Sequence, residues 1–266
     1  MAGNNNQLSV LVVVHNEEER LAACLDKLGF SDEIVVVLDK CTDGSGAIAR
    51  QYTDNIVIGS WEIEGDRRNA GIAACQGDWI LEIDADEHVP VGVGEEVRQV
   101  ISISEHSRHL VPFDNFIGQR CVRYGWGASF GTSCKPCLFR KGTKIWGPQR
   151  LHPSLTLMGT EGPRLQHAVQ HYVDQDPEDM LQRLNNYSSA RALDLLDSGK
   201  VGSMPNQLRR FVSRFYKCYV RRKGYREGDM GFLIALCAAL YPLLSYLKAR
   251  IIEEERIADT ISPQLR

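Results

Sequence analysis

Hydrophobic positions divide the chain into runs of two periods. Leu8 to Val14 is an almost unbroken β-branched run, the pattern of a central parallel strand covered on both faces. Leu21, Cys24, Leu25 and Leu28 then recur at helical spacing, with Gly29 expected as the helix C-cap. Glu33 to Leu38 reads as a second strand, followed by a polar turn from Asp39 to Ser45 and a helix to about Tyr52. A third strand is expected at Asn55 to Ile58, a third helix at Gly65 to Ala74 and a fourth strand at Trp79 to Ile83. Strands alternating with short helices imply an α/β fold with a Rossmann-like, mostly parallel, doubly wound sheet.

Beyond Pro90 the alternation weakens. A helix from about Val93 to Ile103 precedes strand-like pieces near Leu110, Cys121, Cys137 and Leu155, set among Gly, Trp and Pro residues. From Pro177 the pattern is helical: one amphipathic helix to Ser198-Gly199, a second from about Pro205 to Arg222, and an uncharged run from Gly231 to Leu247 interrupted by Pro242. Seventeen helical residues cover roughly 26 Å, slightly short of a bilayer's hydrocarbon core. The boundary is therefore expected near residue 175, with domain 1-175 built on the sheet and 176-266 a C-terminal helical extension.

Charge sharpens the picture at that end. The net charge is −3, yet the eight Lys and Arg between Arg209 and Arg226 face no acid in that segment, which leaves −11 on the remainder. A basic cluster beside an apolar helix suits an anionic membrane surface, with Arg209, Arg210, Arg214, Lys217, Arg221, Arg222 and Lys223 reaching lipid phosphates. A helical subdomain burying its apolar faces on the sheet domain is the competing reading. No recognisable nucleic-acid module accompanies the cluster, and no nucleic-acid partner is expected. Eight scattered cysteines in a chain of this size fit a reducing compartment, and Cys134-Lys-Pro-Cys137 has no second pair to complete a zinc site. The polar N-terminus lacks the basic and apolar regions of a secretory signal.

Candidate chemistry collects at the strand ends, where open α/β sheets bind ligands. Asn16 and Glu17 follow the first strand. Asp39 follows the second and can accept from an imide N–H or a ribose hydroxyl, while Thr42-Asp43-Gly44 can cap the next helix. Arg67 and Arg68 place two guanidiniums where a base carbonyl or a phosphate could sit. The fourth strand ends in Asp84, Asp86 and Glu87, and carboxylates spaced i, i+2 can share a hard divalent cation with phosphate oxygens. A base, a ribose, a diphosphate and a cation would all find partners.

The run Val12-Val13-Val14-His15-Asn16-Glu17-Glu18, the loop Asp39-x-x-Thr42-Asp43-Gly44-Ser45, Arg68-Asn69-Ala70-Gly71 and Gly77-Asp78-Trp79-Ile80-Leu81 through Asp84-Ala85-Asp86-Glu87 together resemble the family 2 glycosyltransferases of the GT-A fold. Asn115-Phe116-Ile117-Gly118, Tyr124-Gly125-Trp126, Leu138-Phe139-Arg140-Lys141-Gly142, Trp146, His152 and His171-Tyr172 resemble the bacterial lipopolysaccharide core glucosyltransferase branch. The resemblance implies sugar transfer with inversion from a nucleotide sugar, UDP-linked by expectation, onto a glycan or lipid-linked acceptor of the cell envelope, with Mg²⁺ or Mn²⁺. It implies a cytoplasmic enzyme peripheral to the inner face of the membrane. Asp39 would contact uracil, Arg67 or Arg68 the base or diphosphate, Asp84 the ribose or metal, Asp86 the metal, and His152 the metal or diphosphate. His152 is followed by Pro153 and Ser154 where the branch usually has Glu, and Lys40-Cys41 stands where small residues are common. The general base is thereby unassigned, with Asp114, Glu161 and Asp174 the candidates by location. A non-catalytic nucleotide-sugar-binding membrane scaffold is the alternative, and a nucleotidyltransferase a third reading, although no Gly-rich phosphate loop follows the first strand.

Overall fold

The computed structural model describes residues 6–125, 134–148 and 153–261, with side chains to residue 256. In chain order the elements are β1 (Leu8–Val14), α1 (Leu21–Leu25), β2 (Glu33–Asp39), α2 (Ser45–Ala49), β3 (Ile56–Gly59), α3 (Glu64–Ala74), β4 (Trp79–Asp84), β5 (Glu87–His88) and α4 (Val91–Ile103). There follow β6 (Arg108–Ile117), β7 (Arg120–Val122), β8 (Cys134–Arg140), β9 (Lys144–Trp146), β10 (Leu155–Leu157), β11 (Val169–Asp174), α5 (Pro177–Asp197), α6 (Met204–Tyr216) and α7 (Gly228–Ile261). The chain forms two units, Met1–Asn115 with Thr132–Tyr172, and Phe116–Gly131 with Val173–Arg266.

Among the described residues the main sheet runs β3-β2-β1-β4-β8-β6-β11-β5, with β7 on β6. The first four strands are parallel, as the unbroken apolar runs predict, and every residue of β1 is buried. β8 pairs antiparallel with β4 and β6, and β11 with β5, so the region after Pro90 extends the parallel half with antiparallel strands. The α/β, GT-A expectation is borne out, with its parallel part confined to the first 84 residues.

Two early helices are shorter than the periodicity suggests. α1 ends at Leu25 with Asp26 as its C-cap, because Lys27 and Leu28 donate to carbonyls three residues back, at 3.1 and 3.0 Å, and tighten the chain toward β2. Gly29 is not a left-handed cap, and a side chain there would meet nothing within 4 Å. α2 stops at Ala49 rather than Tyr52.

In the second unit, Asp176 caps α5 by accepting from Asp179 N–H at 3.0 Å, with Pro177 in the first turn. Ile117, Val122, Met180, Cys218, Ile234, Ala235, Cys237 and Ala238 form this unit's core. α6 is shorter than expected: its α-helical bonding ends at Tyr216, and Lys217–Arg221 continue as a π-helical turn. The span from Gly224 to Arg256 is long and apolar enough to cross a membrane, yet 44% of its most apolar window is buried within the protein.

Candidate functional site

The site is built on the ends of β1, β2 and β4. Asn16, in the left-handed region at φ 56°, turns the chain after β1 and accepts through Oδ1 from Thr42 N–H at 2.8 Å. His15 Nδ1 lies 2.6 Å from the Asp39 carbonyl and ties the ends of β1 and β2 together. Glu17 holds the start of α1 through its carbonyl and the Ser45 hydroxyl through its N–H. Burial first, and then the neighbouring charge of Asp86, raises its carboxyl pKa above the ordinary value. Asp39 is buried, accepting from Trp61 N–H at 3.0 Å and from Arg67 at 3.1 Å.

The Arg68-Asn69-Ala70-Gly71 motif has a separate physical reason at each polar position. Gly71 lets α3 lie against β1 and β2, since a Cβ there would come within 2.5 Å of Leu11 and 2.7 Å of Val37. Asn69 exchanges hydrogen bonds with the Trp146 backbone, at 2.9 and 3.0 Å, and so fixes β9. Arg68 is fully engaged by carboxylates: Glu64 at 3.0 Å, Glu82 at 2.7 Å and Asp84 at 3.0 Å, with its guanidinium over the Trp146 ring. Of the two arginines, it is Arg68 that holds the strand end.

Glu82 anchors that arrangement, although sequence reasoning passed over it as one position in an apolar strand. It is 4% exposed and receives Lys144 Nζ at 2.6 Å, Arg68 at 2.7 Å and Trp146 Nε1 at 3.3 Å. Burial pushes its pKa up, but Lys144 and Arg68 outweigh burial and leave the carboxyl below its ordinary value. Asp84 behaves alike: against burial, Arg68 and Lys135 hold it well below the usual carboxylate range. Lys135 also binds Glu87, a buried acid pushed up to about 7, chiefly by desolvation. An acid interrupting an apolar run was the signal available for Glu82; Lys135 and Lys144 had none.

Asp86 lies past the turn after β4 and faces β11. β5 pairs antiparallel with β11 so that Glu87 stands opposite His171, and Tyr172 N–H donates to the Asp86 carbonyl at 2.9 Å. His171 Nε2 is 3.3 Å from Asp86 Oδ2, while Nδ1 is 2.9 Å from Asn115 Oδ1. The contact with Asn115 orients the ring so that Nε2 faces the Asp86 carboxylate, and a histidine oriented by a hydrogen bond on its other nitrogen is a common metal-ligand arrangement. Asp86, Glu87 and His171 offer ligand atoms within 4.8 Å of one another.

The expected residues thus separate. Asp86 joins a possible cation cluster with His171, which sequence reasoning had noted only as part of a motif. Asp84 is occupied by Arg68 and Lys135 instead. His152 lies outside the described residues. Among the base candidates, Glu161 is bound by Arg108 at 3.1 Å, and Arg108 pairs with Phe139, which pairs with Ile80 near the start of β4, at the opposite end of that strand from Asp84. Asp174 lies in the second unit, 2% exposed and bound by Arg183. Asp114 is half-buried on β6, and strand alternation turns it to the face opposite Asn115, the residue that holds His171.

Residues 9–103 match the model of glycosyl transferase family 2. Over 91% of both chains the sequence is 24% identical to the lipopolysaccharide core biosynthesis glycosyltransferase LpsC of Rhizobium meliloti. It is 25% identical to an uncharacterized glycosyltransferase of Rickettsia felis, over 92% of this chain and 89% of that one. Among solved structures, S. aureus TarS 1-349 superposes with a TM-score of 0.48 at 16% identity, covering 98% of this chain and 92% of that chain. Through residues 9–103 the chain resembles glycosyl transferase family 2, and its resemblance to the lipopolysaccharide core branch is borne out along its length.

Proposed function

We propose that the protein transfers a sugar, with inversion, from a nucleoside-diphosphate sugar to a glycan or lipid-linked acceptor in cell-envelope polysaccharide or lipopolysaccharide synthesis. UDP is the nucleotide we favour, with Asp39 and Arg67 on the base side and Asn16, Glu17 and Asp84 bordering the ribose and diphosphate. The observation that carries the reading is the cluster of Asp86, Glu87 and His171 at the strand ends. Its carboxylate and imidazole donors fit Mn²⁺ or Mg²⁺, which when bound would neutralise a departing diphosphate. Arg68, Glu82 and Lys144 act as positioning residues that hold Asp84 and β9 in place.

The enzyme is further proposed to work at the inner face of the membrane, with the donor site in the sheet domain and attachment in residues 176-266. Exposed apolar residues recur every four positions on α6, namely Met204, Leu208, Val212 and Tyr216, and Val220 follows on the next turn. Arg209, Arg210, Arg214 and Lys217 are interspersed with them, the composition of a helix that lies in a bilayer interface.

The test is thermal stabilisation by UDP-, GDP- and dTDP-sugars with and without Mn²⁺, in wild type, Asp86→Asn and His171→Ala, followed by nucleotide release with candidate acceptors. A donor at 100 times its dissociation constant adds about 2.7 kcal/mol to the native state. Metal-dependent stabilisation by one nucleotide class, lost in both variants, supports the reading. Stabilisation unchanged in both variants removes the cluster from the site, and binding without nucleotide release turns the protein into a scaffold.

A further inference from the structure

α6, the π-helical turn after it and α7 border an open cavity of about 300 Å³ within the second unit. Arg210, Ser213, Arg214, Lys217 and Arg222 line it, with Cys218 and Ala238 completing the wall; none of the described lining residues is acidic. Four cations around one cavity repel each other. Burial first, and then Arg210, depress the pKa of Arg214, whose guanidinium lies 5.8 Å from the centre of the Tyr241 ring.

The backbone is bent to make this wall. In an α-helix, residues five apart point about 140° away from each other. The i→i+5 turn, closed by Arg222 N–H to the Lys217 carbonyl at 2.9 Å, reduces that divergence to roughly 50°. Lys217 and Arg222 therefore line the same cavity. Such π-turns are rare and, where they occur, are frequent at functional sites, and here the turn gathers cations at a local electrostatic cost.

We propose that this cavity is a phosphate site that takes a terminal phosphomonoester, carried either by an anionic lipid headgroup or by a small soluble sugar phosphate. A phosphomonoester brings close to two negative charges and three acceptor oxygens, which match guanidinium forks better than the single charge of a phosphodiester. The site is separate from the nucleotide-sugar reading of the first unit and from diffuse attraction to a charged surface. It predicts discrimination between lipids of equal charge.

The experiment uses the full chain and vesicles of phosphatidylcholine containing either phosphatidic acid or phosphatidylglycerol, matched for surface charge. Wild type should prefer phosphatidic acid by about tenfold, the weight of one hydrogen bond between charged groups. Arg214→Gln and Lys217→Gln should abolish the preference. Arg209→Gln removes the same charge from the same helix outside the cavity and should retain it. Lys217 is exposed, so its variant carries the test even if Arg214→Gln fails to fold. Competition by glycerol 3-phosphate would assign the site to a soluble phosphate; persistence of the preference against it would assign the site to lipid. Equal loss in all three variants, or no preference together with no glycerol 3-phosphate binding, overturns the proposal. None of these readouts involves sugar transfer, so they stand whether or not the donor-site assignment holds.

Discussion

The buried Glu82–Lys144 pair offers the most exacting test of the site's architecture. Both side chains are 3% exposed and their charged atoms are 2.6 Å apart. Lys144→Met leaves Glu82 with Arg68 and Trp146 Nε1 but without its nearest cation. Glu82→Leu leaves a buried ammonium with the Pro136 carbonyl at 3.3 Å. Breaking a buried pair on one side costs about 3 kcal/mol or more, because the remaining charge has lost its hydration and its partner. The double variant strands neither charge, and Arg68 keeps Glu64 and Asp84. It still loses the Lys144 contacts over Phe139 and Trp146, so its expected cost is about 1–2 kcal/mol, below either single variant. Urea denaturation followed by tryptophan fluorescence measures this, since about 3 kcal/mol moves the midpoint by roughly 1 M. Costs that simply add in the double variant would refute the coupling, and single variants costing under 1 kcal/mol would show that water reaches the pair.

Three other outcomes follow from the coordinates. Gly71→Ala should destabilise the first unit, because overpacking against Leu11 and Val37 costs about 1–3 kcal/mol and outweighs a helix-propensity gain of about 1 kcal/mol; an unchanged urea midpoint would contradict the close approach. Stability should fall in acid: the Arg98 hydrogen bond lowers the Asp32 pKa, and bonds from the His167 and Gln166 N–H groups, against burial, lower that of Glu96. Carboxyls depressed in the native state stabilise it above their unfolded pKa of about 4 and lose that contribution as pH drops through the native values, so urea midpoints should decline below roughly pH 4. Val212→Gln, at a position 67% exposed, should leave the melting temperature within about 1 °C and weaken vesicle binding severalfold if the α6 stripe enters the bilayer interface; unchanged vesicle binding would exclude the stripe.

The parallel half of the sheet was legible because its inner strands, covered on both faces, are written as local apolar runs, and Leu8 to Val14 needs no distant partner to be recognised. The antiparallel half was not. β6 alternates buried and half-buried residues along ten positions, and its place is set by long-range pairing with β8, which pairs in turn with β4. Helix lengths failed for a related reason. α1 and α2 keep their apolar spacing past their last helical bond, because Leu28 and Tyr52 pack as non-helical residues. In the second unit the uncharged run of α7 attracted the membrane reading, although much of it lines the unit's own core. The outward apolar stripe belongs to α6, where it was hidden among arginines.

The acidic motif at the end of β4 holds two carboxylates with different neighbours. Side chains on a strand alternate with period two, so Glu82 and Asp84 share one face, and that face looks at α3. Arg68 satisfies both from there, and Lys135 closes the other side of Asp84. The chain leaves the strand after Asp84, so Asp86 no longer belongs to that face; it follows the turn into β5, whose register against β11 sets His171 opposite Glu87. The i, i+2 acids therefore do different work, one locked to the helix that braces the sheet and the other open to a cation beside a histidine 85 positions later. If this division is correct, Asp84→Asn should cost mainly stability and Asp86→Asn mainly Mn²⁺-dependent donor stabilisation, measured on the same samples by urea midpoint and by thermal shift. The reverse pattern would restore Asp84 as the metal ligand and leave Arg68 as the group that contacts the donor.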